Sequence, residues 1–213
     1  MINIIDKEQL VLFPTMVSKG KVDSEELLEK LKLAVTKLKI RGDGEFSYEK
    51  EQFESWDNIH EKPEFQELAD LIMQVSGELL DQQGLIRESH YISNMWATST
   101  NRNFFHAAHG HPNCYMSGIL YVNAPHGCGK LLFRDPRPAG AVLQYNYKEH
   151  NQYNSNRHYV KPGKGVILFW PHWLEHMVER HHEEYTGEED RMMIAFNIMV
   201  KADIKIKTAK LRI

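Results

Sequence analysis

The spacing of hydrophobic residues predicts two helices in the N-terminal portion of the chain. In two segments, apolar residues recur every three or four positions, as they do on the buried face of a helix. Asp23 or Ser24 is suited to cap the first helix, Pro63 to begin the second and Gly84 to end it. The predicted buried faces are Leu27, Leu31, Ala34, Val35 and Leu38 in the first helix, and Phe65, Leu68, Ile72, Val75 and Leu79 in the second.

Two other N-terminal segments lack this spacing. The apolar run from Leu10 to Met16 predicts a short opening strand. Residues 41–60 are polar and punctuated by glycine, and they predict a loop between the helices.

The pattern changes at residue 88, after which short runs rich in β-branched and aromatic residues predict strands. The runs are HYISNMWATS, YMSGILYVNAP, GKLLFRD, GAVLQYNY, HYVKPGKGVILFWP and RMMIAFNIMVKADIKIK. Short strands with no helical pattern between them predict a mainly β fold, a sandwich or jelly-roll, with the helices covering one outer face. A chain of 213 residues suits a single domain. We expect residues 1–87 to be its mostly helical portion and residues 88–213 its β core.

Charge and composition narrow the classes of partner. The formal net charge is −3, so there is no general basic surplus to bind a nucleic acid. The C-terminal KADIKIKTAKLRI is locally basic, but Ile204 and Ile206 alternate with lysines, which predicts an edge strand whose charges deter self-association. The sequence identifies no substrate, whether small molecule or peptide, and leaves a homodimer open.

The chain is expected to be cytoplasmic and not attached to a membrane. No apolar run reaches the ~18 residues of a membrane span, and the N-terminal residues do not have the pattern of a signal peptide. Cys114 and Cys128 are too few for a disulfide scaffold and lack CxxC spacing. Reduced thiols in a reducing compartment are therefore expected.

Three histidines form a candidate metal site. His109 and His111 are two positions apart, a spacing at which side chains of an extended chain point to the same side. His176 follows a second apolar run and is a third candidate ligand. Three imidazoles on one side of a metal such as Fe(II) would leave coordination positions open for substrate and dioxygen.

The chain has 12 histidines, so an H-x-H pair also arises by chance, and each of these residues could instead lie on the surface. His106 or His172 could substitute for a nominated ligand.

The longest motifs resemble a known enzyme family. HGHPNCYMSGILYVNAP, GKLLFRDPRP, KPGKGVILFWPHWLEHMV and RMMIAFNIMV, within residues 91–200, resemble the 2-oxoglutarate and Fe(II)-dependent oxygenases related to prolyl hydroxylases, in a form common in bacteria and phages. The resemblance implies a double-stranded β-helix, that is, a jelly-roll, with one Fe(II) and 2-oxoglutarate as co-substrate. It implies release of succinate and CO₂ with hydroxylation of a substrate that it does not name.

The resemblance also requires a cation for the far carboxylate of 2-oxoglutarate. Arg191 fits because it begins an otherwise apolar strand, and a guanidinium binds a carboxylate bidentately. Alternatively, Arg191 could lie at the solvent end of the strand and pair with Glu188, Glu189 or Asp190. Tyr121 and Asn94, both in predicted strands, are weaker candidates for hydrogen bonds to the co-substrate.

One position departs from the family pattern. These oxygenases usually have H-x-D or H-x-E, so His111 stands where a carboxylate is expected. His111 could be a third imidazole ligand, Asp135 of the DPR tripeptide could supply the carboxylate, or His111 could lie behind the ligands; its spacing favours the first. Two other functions stay open: a three-histidine iron dioxygenase independent of 2-oxoglutarate, and a non-catalytic jelly-roll binding module with structural Zn(II).

Overall fold

A computed structural model describes residues 8, 10–49, 51–137, 145–206 and 209–212. Its helices are α1 (Glu25–Arg41) and α2 (Gln66–Gln82), and short 3-10 turns lie at Ile59–Glu61 and Pro63–Phe65. The strands are β1 (Ser18–Lys21), β2 (Gly44–Ser47), β3 (Gln52–Ser55), β4 (Ser89–Thr100), β5 (His106–His109), β6 (Met116–Asn123), β7 (Leu131–Arg134), β8 (Arg157–Val160), β9 (Val166–Pro171), β10 (His176–Val178), β11 (Arg191–Lys201), β12 (Asp203–Ile206) and β13 (Ala209–Arg212).

Two antiparallel sheets form the β core. The major sheet has the strand order β1-β9-β6-β11-β4-β3-β2, and the minor sheet has the order β5-β10-β7-β8. In the middle of the sheets, adjacent strands such as β9 and β6, β6 and β11, and β5 and β10 are distant in the chain, as in a jelly-roll. The predicted mainly β fold with N-terminal helices is confirmed.

The helices pack on the outer face of the major sheet. Ser24 caps α1 by accepting a hydrogen bond from the backbone N–H of Leu27, and Gly42 ends the helix with a positive φ of 71°. The predicted face of α1 is buried, as are Phe65, Leu68 and Ile72 of the second helical segment. Neither helix in the described part of the chain is long and apolar enough to span a membrane.

The inner face of the major sheet meets the minor sheet in a second apolar cluster. Its major-sheet members are Ile119, Tyr121, Leu168, Trp170, Met193 and Ala195, and its minor-sheet members include Leu131, Phe133 and Val178. The central strands β6, β9 and β11 are therefore buried on both faces. This explains why their sequences are continuous apolar runs and do not alternate with polar residues.

Several predicted boundaries were wrong. Residues 10–16 form no strand, because they are exposed and Pro14 lacks a donor for a ladder; the first strand is β1. The predicted loop 41–60 contains the hairpin β2–β3, which joins the major sheet beside β4. Its sequence lacks an apolar period because only Phe53 and Ser55 of β3 are buried. The portion before residue 88 thus contributes strands as well as helices.

The observed strands also differ from the predicted ones in the segments after residue 137. HYVKPGKGVILFWP contains two strands, β8 and β9, separated by a turn at Gly165 with a positive φ. The C-terminal segment forms the separate hairpin β12–β13 where a single edge strand was predicted. The predicted strand over 140–147 falls mostly outside the described residues.

Gly118 of β6 tests the packing of the central strands. A Cβ at this position would lie 2.3 Å from a Phe196 ring carbon and 2.4 Å from the Leu168 carbonyl oxygen. We expect Gly118→Ala to reduce the free energy of unfolding by about 3 kcal/mol, the upper range for overpacking a core. Gly20→Ala is the control, because its Cβ would meet only Ile167 at 3.4 Å. Equal midpoints of chemical denaturation for both variants would contradict this account.

Candidate metal centre

Three histidines converge at one end of the inner surface. His109 is the last residue of β5, His176 is the first residue of β10, and the two are direct partners across these antiparallel strands. His111 follows β5 in an irregular segment, immediately before a turn at Pro112 and Asn113. One nitrogen from each ring lies within 4.8 Å of the others, and Nε2 of His111 is 3.2 Å from Nε2 of His176. The structure therefore brings together all three predicted ligands.

His111 reaches this cluster by a different route from the one predicted. Strand β5 ends at His109, so the two histidines do not share one continuous strand. The backbone N–H of His111 instead donates to the carbonyl of His172 at 3.0 Å, and Nδ1 of His172 lies 3.0 Å from the carbonyl of His111. His172 thus positions His111 through its backbone and is not itself a member of the three-histidine group.

The hydrogen bonds of the rings leave one nitrogen of each free to bind a metal. Nδ1 of His109 lies 2.8 Å from the carbonyl of Ala107, and Nδ1 of His176 lies 3.0 Å from the carbonyl of Leu174. A carbonyl oxygen can only accept, so both Nδ1 atoms carry the proton of a neutral ring. The Nε2 lone pairs are consequently available as ligands.

Asn197 supplies the oxygen acceptor for Nδ1 of His111. Its Oδ1 lies 2.9 Å from Nδ1 of His111 and accepts a second hydrogen bond from the Ser117 hydroxyl at 2.8 Å. The amide nitrogen of Asn197 donates to Asn94 Oδ1 at 3.2 Å, and Asn94 Nδ2 in turn donates to Asp57. This chain of contacts fixes the amide orientation and therefore the tautomer of His111.

Burial favours the neutral form of His111 and His176. Desolvation lowers the pKa of His176 to about 3, and it also lowers the pKa of His111. Neutral imidazoles present lone pairs and do not repel a cation, so the group suits a divalent transition metal.

The alternative ligands lie elsewhere. Asp135 follows β7 and forms a two-pronged ion pair with Arg137, which lowers the pKa of its carboxyl group. Cys114 is buried, and burial raises the pKa of its thiol. His106 stacks on His109 with ring centroids 4.0 Å apart. Among the described residues, neither a carboxylate, a thiol nor a fourth histidine joins the group.

Arg191 lies at the other end of the inner surface and is fully buried. Its guanidinium carbon is 5.1 Å from the centre of the Tyr121 ring and 5.6 Å from that of Phe104. No described residue accepts a hydrogen bond from its Nε, Nη1 or Nη2, and the buried Tyr121 hydroxyl likewise has no partner within the described chain. A buried unpaired cation is costly, so an anion is the expected partner.

The acidic residues before Arg191 are engaged elsewhere. Asp190 contacts Lys39 and Asn101, while Glu189 contacts Asn123 and Lys32. The alternative in which Arg191 forms a surface ion pair is therefore wrong.

The two ends of the surface are connected by β11. Side chains alternate along a strand, so Arg191 and Asn197 lie on the same face. Their backbones are six residues apart, about 20 Å at the usual strand rise. The Arg191 guanidinium approaches Tyr121, whose backbone pairs with Met193, two residues closer to Asn197. The long side chain thus shortens the distance to the histidines.

Asn94 lies at the histidine end and not beside Arg191. Both ends of its amide are engaged by neighbouring side chains of the described chain. This geometry favours a positioning role over contact with the co-substrate.

A groove of about 750 Å³ opens beside the histidines. The hairpin β2–β3 forms one wall, and Trp96 lines it together with His109 and His111. The pattern of apolar residues does not predict this wall, because the hairpin has no apolar period. Asn197 was also missed, although a single polar residue in an apolar strand is the same signal that identified Arg191.

Asn197 offers a test of ligand positioning. Replacement by Leu removes the acceptor for His111 Nδ1, so we expect Asn197→Leu to weaken binding of a first-row divalent metal by roughly 10- to 100-fold. Asn197→Asp retains an acceptor and should retain most of the affinity. The check is competitive metal titration, with thermal melts to establish folding. Similar affinities for the Leu and Asp variants would refute this role.

Comparisons with known structures identify the fold. The chain is similar to a prolyl-4-hydroxylase from Pseudomonas putida, with 13% identity, a TM-score of 0.60 and coverage of 86% of this chain and 92% of that chain. It is also similar to HygX from Streptomyces hygroscopicus, crystallised with nickel, 2-oxoglutarate and hygromycin B, with 12% identity, a TM-score of 0.59 and coverage of 87% and 83%. A third similar structure is a viral collagen prolyl hydroxylase from Paramecium Bursaria Chlorella virus-1. It has 12% identity and a TM-score of 0.54, with coverage of 85% of this chain and 94% of that chain.

Family models add a match at the level of sequence. No curated protein matches the sequence significantly. The model of the family described as "Putative 2OG-Fe(II) oxygenase" matches residues 94–197. This range contains the three histidines, Tyr121, Arg191 and Asn197. Over these residues, the chain is similar in sequence to the 2OG-Fe(II) oxygenase family.

Proposed function

We propose that this protein is an Fe(II)- and 2-oxoglutarate-dependent dioxygenase that hydroxylates a substrate entering through the groove. The observation that carries the proposal is the pairing of two complementary sites in one interior: three neutral imidazoles with free lone pairs, and a buried guanidinium with unpaired N–H groups. A metal fits the first site and a carboxylate fits the second.

Each site has named residues. Nε2 of His109, His111 and His176 would hold the Fe(II), whose preference for imidazole matches this donor set. Arg191 and the Tyr121 hydroxyl would bind the far carboxylate of 2-oxoglutarate. Burial raises the pKa of Tyr121, so its hydroxyl remains a donor at neutral pH.

The bound iron supplies the oxidative chemistry with dioxygen and 2-oxoglutarate. In the balanced reaction, one substrate C–H, one 2-oxoglutarate and one O₂ give one C–OH, one succinate and one CO₂. The protein's own contribution is to orient the reactants and exclude water. Trp170 and Phe133, both buried and within 6.1 Å of the His176 ring between centroids, form an apolar wall suited to that exclusion.

The groove supports the expectation that a small molecule or a peptide is the substrate. Glu45, Glu54 and Asp57 line it, and its described lining contains neither lysine nor arginine. Such a surface repels phosphates, which supports the expectation that nucleic acid is not a partner. The buried free thiols Cys114 and Cys128 support the proposed cytoplasmic location.

A second candidate function rests on the all-imidazole ligand set. A three-histidine iron dioxygenase would use no 2-oxoglutarate, and the absence of a carboxylate from the described histidine group favours it. The unpaired Arg191 favours the first proposal, since such a dioxygenase has no need of a buried carboxylate receptor. A binding module with structural Zn(II) would produce no succinate.

Iron content and succinate release distinguish these functions. For the main proposal, anaerobically loaded protein should bind Fe(II) and release succinate from 2-oxoglutarate under O₂. His109→Ala and His176→Ala should fold but lose most of the iron, because two remaining imidazoles hold it poorly. His111→Asp should keep the iron with altered affinity. Asp135→Asn is the control, and loss of iron in this variant with retention in His111→Ala would overturn the ligand assignment.

Arg191 gives an independent test of the co-substrate. Arg191→Leu should weaken 2-oxoglutarate binding by about 2 to 4 kcal/mol, because a charge-assisted carboxylate pair is lost while iron stays bound. Calorimetry on the iron-loaded protein under anaerobic conditions measures this change. Arg134→Leu is the control, since Arg134 pairs with Glu175 at the surface. An unchanged affinity in Arg191→Leu would remove the second site from the proposal.

A further inference from the structure

His181 lies beside the buried arginine, in the segment between β10 and β11. Its ring packs on Tyr185 with centroids 4.2 Å apart, and it lies 6.2 Å from the centre of the Phe104 ring. Phe104 also contacts the guanidinium of Arg191. The imidazole and the guanidinium therefore both lie near the Phe104 ring. His181 was not identified from the sequence, where it is one of a pair of adjacent histidines in a polar segment.

A backbone contact sets the tautomer of His181. The N–H of Gly129 donates to Nδ1 of His181 at 3.0 Å, so Nδ1 is an acceptor and carries no proton. A neutral ring then carries its proton on Nε2. Burial and the nearby Arg191 charge lower the pKa of His181 to about 4, so the ring is neutral at pH 7.

Close packing of the backbone fixes this contact. A Cβ at position 129 would lie 2.0 Å from the carbonyl oxygen of Glu179, so only glycine allows the two segments to approach this closely. Two further backbone hydrogen bonds join the segments, from Glu179 to Lys130 at 3.0 Å and from His182 to Gly127 at 2.8 Å. The position of the imidazole is thus fixed by the fold.

Nε2 of His181 is buried and makes no hydrogen bond of normal geometry with a described residue; the backbone carbonyl of Asn101 approaches the ring and partly offsets the lowering of its pKa. The Arg191 guanidinium and the Tyr121 hydroxyl likewise have no hydrogen-bond partner among the described residues. All three groups can donate, and a buried donor without a hydrogen bond destabilises the folded protein. The partner that satisfies such a set is an acceptor with several lone pairs, and a carboxylate accepts about four hydrogen bonds.

We propose that His181 donates its Nε2–H to the far carboxylate of 2-oxoglutarate, as a third donor beside Arg191 and Tyr121. This assignment rests on the proposed function of the same site. A neutral third donor adds a hydrogen bond without a second positive charge, so the receptor matches a singly charged carboxylate better than a doubly charged phosphate. His181 is accordingly a residue that determines which 2-oxo acid is accepted.

The test compares two 2-oxo acids that share the chelating end. 2-Oxoglutarate has the far carboxylate and 2-oxopentanoate lacks it. His181→Asn keeps an acceptor for the Gly129 N–H but has no donor at the position of Nε2. We expect it to weaken 2-oxoglutarate binding about tenfold, the effect of one hydrogen bond to a charged group, and to leave 2-oxopentanoate binding unchanged. Calorimetry on the anaerobic Fe(II)-loaded protein measures both affinities.

Two further variants control for structure. His181→Gln can place an amide N–H near the position of Nε2 and should recover part of the affinity for 2-oxoglutarate. His182→Asn changes the exposed neighbour and should bind both acids as the wild type does. Thermal melts establish folding. If His181→Asn does not fold, His181→Gln is compared with His182→Asn on both acids. The proposal then requires that the ratio of the two affinities changes in His181→Gln and not in His182→Asn.

The outcomes separate this assignment from the proposed function. If the wild type does not prefer 2-oxoglutarate over 2-oxopentanoate, the proposed function fails and the assignment fails with it. If the wild type has this preference and His181→Asn keeps it in full, only the role of His181 is overturned. Equal weakening of both acids would also overturn it, because that result reports a structural change and not loss of a contact to the far carboxylate.

Discussion

The antiparallel pairing of β11 with β4 and β6 is the constraint on which both sites depend. This strand lies inside the major sheet and is bonded along both edges, so its register is fixed from two sides. Because side chains alternate, that register places Arg191 and Asn197 on the inner face together. A shift by one residue would turn both toward the helices and bury a charge in the outer apolar cluster. The cost of that burial makes the register specific.

The polar groups of the interior are separated by type. At the histidine end, three Nδ1–H groups are satisfied by oxygen acceptors, which leaves lone pairs directed to a common point. At the arginine end, the unsatisfied groups are donors. Lone pairs suit a cation, and donors suit an anion. One interior therefore accommodates both a metal and a carboxylate without either site competing for the other's ligand.

The sequence predicted the parts of the fold and site that follow from composition along a single strand. Strands buried on both faces are apolar throughout, and Arg191 was found because it interrupts one of them. The cluster of His109, His111 and His176 was found by spacing, although its geometry comes from the irregular segment after β5. Asn197 likewise interrupts an apolar strand, but it is uncharged. Burial of a neutral amide does not require a partner of opposite charge, so the sequence alone did not identify Asn197 as a site residue.

Other features depend on contacts between distant segments and left no local signal. The hairpin β2–β3 has few apolar residues because it lies at the edge of the major sheet and buries only Phe53 and Ser55. The tautomer of His181 depends on a backbone N–H 52 residues earlier in the chain. Neither the composition nor the periodicity of a segment contains this information.

The replacement of a carboxylate by His111 also changes the charge of the centre. In the proposed function, Fe(II) held by three neutral imidazoles would have a charge of about +2, whereas one carboxylate ligand would reduce it to about +1. An anionic chelate such as 2-oxoglutarate is attracted more strongly to the former. The carboxylates of Glu45, Glu54 and Asp57 line the adjoining groove and oppose this excess positive charge through space. In the proposed function, a negative ligand would thus be attracted to the metal, while the groove proposed for the primary substrate would stay unfavourable to anions.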